Sequence, residues 1–133
     1  MKSNRFGKAN GRDEPLTTSS GIFKVITTSI FEDEARRLKK VYPQIGKDIA
    51  KLNEILNKDP VTGNDALGKS CYKVRMRISG KNRGKSYGAR IIINVQVIDS
   101  EVYLLSIYDK SKKEGLFEGE LDNLLKYRLS LKE

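Results

Sequence analysis

The chain has 133 residues, 38% of them apolar, and sets 26 Lys and Arg against 17 Asp and Glu for a formal net charge of +9. That length suits one domain with a modest core, and no apolar run approaches the roughly 20 residues of a membrane-spanning helix. There is no histidine and one cysteine, Cys71. These counts exclude Ser-His, Cys-His and paired-His mechanisms, remove the commonest metal ligand and rule out an internal disulfide. Any catalysis falls to Lys, Arg, Tyr, Asp or Glu, and the expected setting is a reducing cytoplasm.

In chain order, residues 1–21 are polar apart from Phe6 and Leu16 and lack a signal-peptide core; a disordered extension is expected there, with the domain spanning residues 22–133. Residues 22–27 read as a short strand. Ser29 followed by Glu32 has the capping-box pattern, and Glu32, Asp33 and Glu34 suit the positive end of a helix dipole. Phe31, Ala35, Leu38 and Tyr42 follow at helical spacing until Pro43. A second helix places Ile45, Ile49, Leu52 and Leu56 on one face and stops at Asp59-Pro60. Residues 61–69 read as a Gly/Asn/Asp loop.

Three strands are expected next, at about residues 71–79, 89–98 and 102–108. The last two pair as an antiparallel hairpin across Asp99-Ser100. A final helix carries Leu121, Leu124, Leu125 and Leu129. The expected fold class is α+β, in the order β-α-α-β-β-β-α. A helical hairpin packs on one face of a small, mainly antiparallel sheet, and the other face stays open.

Residues 66–98 hold eight Lys or Arg (Lys69, Lys73, Arg75, Arg77, Lys81, Arg83, Lys85 and Arg90) and no Asp or Glu. Tyr72, Val74, Met76 and Ile78 alternate with Lys73, Arg75 and Arg77, so the strand buries one face and presents a cationic row on the other. Such a row is unfavourable by self-repulsion, and a polyanion is the expected reason for it: nucleic acid, the ribosome surface or an acidic membrane leaflet. A membrane fits less well, since the charge lies on a strand rather than an amphipathic helix. An ordinary solvated sheet face is the plain alternative, but ordinary surfaces intersperse both signs.

Lys73, Arg75 and Arg77 recur every ~6–7 Å along the strand, close to the spacing of phosphates in an extended single strand. Arg90 starts the next strand near the row, and Lys110 and Tyr108 lie at the end of the third. Such a cluster can cut RNA without metal or imidazole. The ribose 2′-OH is the nucleophile, arginines offset charge on the phosphorane, and a lysine crowded by cations serves as base. Lys73 is the candidate base and Arg75 and Arg90 the clamps; Tyr108 and Arg77 are both candidates for the acid. Lys69, Lys81, Arg83, Lys85 and Lys110 are candidate RNA-binding residues, the loop 80–88 gripping phosphates as a basic hairpin loop. It lacks the spacing of a nucleotide-binding P-loop. Cys71 reads as a small buried filler. No metal and no small-molecule cofactor is expected.

Tyr72-Lys73-Val74-Arg75-Met76-Arg77, Ser79-Gly80-Lys81-Asn82-Arg83-Gly84-Lys85, Gly88-Ala89-Arg90-Ile91-Ile92 and Tyr103-Leu104-Leu105-Ser106-Ile107-Tyr108-Asp109-Lys110 resemble the RelE/ParE superfamily of toxins. The likeness is to the RelE/HigB-like subgroup, over roughly residues 23–125. It implies a type II toxin–antitoxin toxin that enters the 30S A site of the ribosome, cuts mRNA there and so inhibits translation and arrests growth. By position, Lys73, Arg75, Arg77 and Arg90 match that family's basic set, and Lys110 falls where a further basic residue is common. Loop 80–88 is longer than in the prototype RelE. Tyr127 lies too far into the last helix to match its C-terminal Tyr. The implied partners are a cognate antitoxin, with an acidic or amphipathic segment over the cationic face, and mRNA on the ribosome. Two alternatives stand beside this: a ParE-like inhibitor of DNA gyrase, which shares the fold without nuclease residues, and an RNA- or ribosome-binding accessory protein.

Overall fold

The run from Ala89 to Val95 is apolar at both parities except at Arg90 and Asn94, and so is Val102 to Ile107 except at Ser106. Strands of that kind are buried on two faces, not one. The computed structural model, which describes residues 22–81 and 87–132 with side chains through Arg128, places both at the centre of a five-stranded sheet. The elements are β1 (Lys24–Thr27), α1 (Ser29–Lys39), α2 (Ile45–Lys58), β2 (Asp65–Gly68), β3 (Cys71–Met76), β4 (Ala89–Gln96), β5 (Glu101–Asp109) and α3 (Glu120–Lys132). Strand order is β1-β5-β4-β3-β2; β1 runs parallel to β5 and the other neighbours are antiparallel. Among the described residues no helix is long and apolar enough to cross a membrane.

The α+β class and the helical hairpin are as the periodicities require. Phe31, Ala35, Leu38 and Tyr42 join Ile45, Ile49, Leu52 and Leu56 over Val74, Met76, Ile91, Ile93, Val102, Leu104 and Ile107. Each fully buried aliphatic chain contributes about 1.5–3 kcal/mol. Three local readings are corrected. Thr28, not Ser29, caps α1: its Oγ1 accepts from the Phe31 amide at 3.4 Å and donates to the Leu104 carbonyl at 3.0 Å. The expected loop 61–69 contains β2, so the order gains one strand. The turn after β4 is wider than Asp99-Ser100, for β4 ends at Gln96 and leaves Val97 and Ile98 exposed in it.

The largest correction concerns the second sheet face, which is covered in part rather than open. Leu116, Leu121, Leu124 and Leu125 pack there on Cys71, Ile92, Tyr103, Leu105 and Tyr108. Arg128 lays its guanidinium 4.9 Å above the Tyr103 ring, and the Tyr127 and Ser29 hydroxyls are hydrogen bonded, tying α3 to the start of α1. Burial raises the Cys71 thiol above its ordinary pKa, which suits a packing role.

Polar groups enter this doubly buried sheet where the ladder leaves a gap. Beyond the end of β1, which pairs with β5 only as far as Leu104, Glu34 accepts from the Ile107 amide at 3.0 Å and from Ser106 Oγ at 2.7 Å. At the far end of β5, Asp109 is 4% exposed and accepts from Tyr42 Oη at 2.6 Å, Ser111 Oγ at 2.7 Å and Lys81 Nζ at 2.9 Å. Burial alone would raise its pKa, but the bonds from Tyr42, Ser111 and Lys81 hold it well below the usual carboxylate range. Desolvation pulls Lys81 down and Asp109 outweighs it, so Lys81 titrates high. Tyr42 is raised by the bond to Asp109 and by burial. Close by, Gly88 passes β3 so tightly that a Cβ would overlap the Met76 carbonyl oxygen.

Two outcomes are expected. Gly88→Ala forces β3 and β4 apart and lowers stability by about 1–3 kcal/mol, read as a lower urea midpoint at unchanged m. The Asp109 contribution, coming from a depressed folded-state pKa, is complete above the ordinary aspartate value of ~4 and drains away as pH falls toward the folded value. Those of Lys81 and Tyr42, both raised, are complete below ~10 and are lost at higher pH. Urea midpoints against pH should therefore fall on both sides of a plateau between about pH 5 and 9, and Asp109→Asn should flatten the acid limb. An acid limb identical in Asp109→Asn would refute this assignment.

Candidate functional site

The antiparallel register puts Arg75 opposite Arg90 and Arg90 opposite Tyr108. Directly opposed residues share a face, and neighbouring strands lie ~4.8 Å apart. Arg75, Arg90 and Tyr108 thus form one row across β3, β4 and β5, on the face away from the helical hairpin. Lys73 precedes Arg75 on β3 and Arg77 lies just past its end, while Tyr72, Val74, Met76 and Ile78 all turn to the hairpin core. The ladder therefore brings Lys73, Arg75, Arg90 and Tyr108 onto one face, and Arg77 follows directly after the last residue of β3.

Their surroundings differ. Arg77 is exposed and Lys73 partly so. Arg75 Nη2 lies 3.4 Å from Asp65 Oδ2 of β2, with about half of each side chain in solvent. Arg90 is 5% exposed, and its Nη1 donates to the Ala89 carbonyl at 3.4 Å. Tyr108 is 6% exposed, and among the described residues its Oη has no hydrogen-bond partner. Burial raises its pKa, Arg90 counteracts in part, and Glu120 adds to the rise; the phenol stays protonated at neutral pH. Such a group, beside an arginine, is equipped to donate a proton.

The candidate RNA-binding residues are more scattered. Lys69 sits in the β2–β3 turn, its ammonium paired with Asp122 of α3. Lys110 Nζ donates to the Glu114 carbonyl at 3.1 Å. Lys81 turns to the hairpin side, against Asp109 and over the Tyr42 ring, away from the row. Arg83 and Lys85 lie outside the described residues, as does the expected extension 1–21.

The β2–β3 turn depends on a buried side chain. Lys69 and Ser70 both take left-handed backbone conformations, φ 56° and 61°, which suit a tight hairpin turn but strain side-chain-bearing residues. Asn94, 1% exposed, donates its amide to the carbonyls of Lys69 and Ser70 at 3.2 and 3.3 Å. It thereby fixes β2, and with it Asp65, beside the row.

Sequence reasoning missed Asp65, Lys113 and Phe117 as neighbours of the row. Asp65 stands one residue before the acid-free stretch, and β2 is too short to show alternation. Lys113 Nζ lies 5.3 Å from the Tyr108 ring centre and 4.9 Å from that of Phe117, and pairs with Glu120 at 2.7 Å. Phe117 itself is 73% exposed. An open concavity of about 610 Å³ is lined by Lys112, Lys113, Glu114, Gly115, Leu116 and Phe117. Among the described residues no cluster of three or more carboxylate, thiol or imidazole groups could hold a metal ion.

No family model matches the chain, and no curated protein sequence matches it. Among solved structures it is similar to the E. coli RelE toxin. A mutant of that toxin in its free state is 23% identical, with a TM-score of 0.49, covering 71% of this chain and 88% of the toxin's. The isolated E. coli RelE toxin is 24% identical, with a TM-score of 0.46, covering 65% of this chain and 83% of the toxin's.

Proposed function

We propose that the chain is the toxin of a type II toxin–antitoxin pair and that it cuts mRNA in the ribosomal A site by metal-free chemistry, in the cytoplasm. The observation that carries this reading is the Arg75–Arg90–Tyr108 row, flanked by Lys73 and Arg77. The sequence resemblance to RelE/HigB-like toxins points the same way.

In the proposed reaction Lys73, acting as the neutral amine, takes the proton of the ribose 2′-OH as its oxygen attacks phosphorus. Arg75 and Arg90 hold the non-bridging oxygens, with donors already in place as charge develops. The P–O5′ bond breaks, and Tyr108 gives its proton to the leaving oxygen, with Arg77 the other candidate. The products are a 2′,3′-cyclic phosphate and a 5′-hydroxyl end. Lys69 and Lys110 would grip flanking phosphates, as would Arg83 and Lys85. Phe117 offers a face on which an unpaired base can stack, beside Lys113. The partner antitoxin would cover the cationic row with an acidic or amphipathic segment.

Induced expression should arrest growth and yield cut mRNA ends. Arg90→Ala or Lys73→Ala should slow cleavage about 10²–10³-fold, the usual cost of losing a transition-state donor, and relieve the arrest. Mapping RNA ends in cells and with purified ribosomes checks both. Arrest with intact mRNA and gyrase-dependent DNA breaks would replace the nuclease with a ParE-like inhibitor. No arrest at all would leave an RNA-binding module.

A further inference from the structure

We propose that the Lys81–Asp109 pair is a positioning device for the cationic row. It locks the open end of the β3–β4–β5 ladder one residue pair away from Arg75, Arg90 and Tyr108. The inference rests on the reading of that row as an RNA-cleaving site, and gives Lys81 and Asp109 a part in it that neither has by touching substrate.

Met76 opposite Ala89 and Ala89 opposite Asp109 are the last pairs of the two ladders; Arg75 opposite Arg90 and Arg90 opposite Tyr108 are the next ones in. Ladder ends open more readily than centres, and a displacement of ~1 Å at reacting groups is costly. Lys81 ties three points together. It lies just beyond β3, donates to the Tyr87 carbonyl at 3.0 Å where the chain returns to β4, and pairs at 2.9 Å with Asp109, the residue after Tyr108. The Lys110 amide adds a bond to the Gly88 carbonyl at 3.0 Å, and Asp48 accepts from the Ser79 amide at 2.9 Å and its hydroxyl at 2.6 Å. The Lys81 side chain is 17% exposed and that of Asp109 3%, on the hairpin side of the sheet, while the row faces the other way. Lys81 therefore acts through the strands and not on a phosphate.

Charge separates the two roles. Lys81→Met removes a positive charge and Asp109→Asn a negative one, so a phosphate-binding Lys81 would move KM in opposite directions in the two variants. Positioning predicts the same change in both: kcat lower by about tenfold or more and KM within about threefold. The double variant should fall no more than about twofold below either single one, as expected of groups acting as a unit. The intact chain is assayed on ribosome-bound mRNA at a temperature where circular dichroism shows each variant folded. Should either fail to fold, Tyr42→Phe removes one hydrogen bond from Asp109 and no charge, and should lower kcat about three- to fivefold.

A second readout is the Tyr108 phenol, followed by NMR of labelled tyrosine. Arg90 of β4, Lys113 after β5 and Glu120 of α3 surround it, and its titration lies above the ordinary tyrosine range. An opened ladder end admits water and brings that titration back down in both variants, read only over the pH range where circular dichroism shows each variant still folded, so that global unfolding does not contribute. Unchanged kcat in folded variants of an active chain, opposite shifts of KM, or an unmoved Tyr108 titration would each overturn the proposal while leaving the nuclease reading intact. A wild-type chain that cuts no RNA would overturn both.

Discussion

Burial of β4 and β5 on both faces is the constraint on which the rest of the structure depends. A central strand in that position has no solvent side on which to place a charge, and an unpaired buried charge costs several kcal/mol. Most polar groups there are therefore confined to a few places where they find partners, the Tyr108 hydroxyl being an exception among the described residues. Glu34 caps β5 beyond the end of β1, Asn94 holds a strained turn, and Asp109 collects Tyr42, Ser111 and Lys81. Arg90 is carried by the same buried strand and lies opposite Tyr108, near the end of the ladder. The site candidates gather there because a two-sided core excludes them elsewhere.

The helical hairpin and β3 were legible because their apolar residues repeat at 3.6 and 2 positions, and β4 and β5 because they are short apolar runs bounded by turn residues, with clear stops at Pro43 and Pro60. Register did the rest: once β3 and β4 pair, Arg75 and Arg90 must face each other. What escaped was set by distant parts of the chain. Asp65 to Gly68 is too short to alternate, and its turn lacks an Asn-Gly signal; it exists because Asn94, two strands away in space, satisfies the carbonyls of Lys69 and Ser70. The covered second face had a signal that was not used. Val102 to Leu105 is apolar at every position, and a strand with one open face would alternate.

The acid-free stretch shows how sequence distance misleads about charge. It contains no carboxylate along the chain, yet folding brings Asp65 to Arg75, Asp122 to Lys69 and Asp109 to Lys81. These pairs are not equivalent. The first two are half exposed, and such pairs contribute little, about 0–1 kcal/mol. A phosphate arriving at β3 could displace Asp65 from Arg75 at small cost. The third is enclosed, and separating it would strand a charge in the core.

The chain thus sorts its cations by how readily they exchange partners. Lys73 and Arg77 form no ion pair among the described residues, and Lys69 and Arg75 are held by carboxylates that water already screens; these are available to a polyanion. Lys81 is committed to the fold, although it stands in the same basic sequence and alternation alone could not tell it apart. Under the proposed function that division is useful. Cations that bind RNA must be weakly held before it arrives, whereas those that fix the geometry of a transition state must not leave when it does. Burial decides which is which: the same ion pair that would be a poor contributor on the surface becomes, beside the end of β5, a contact that a phosphate competes for poorly.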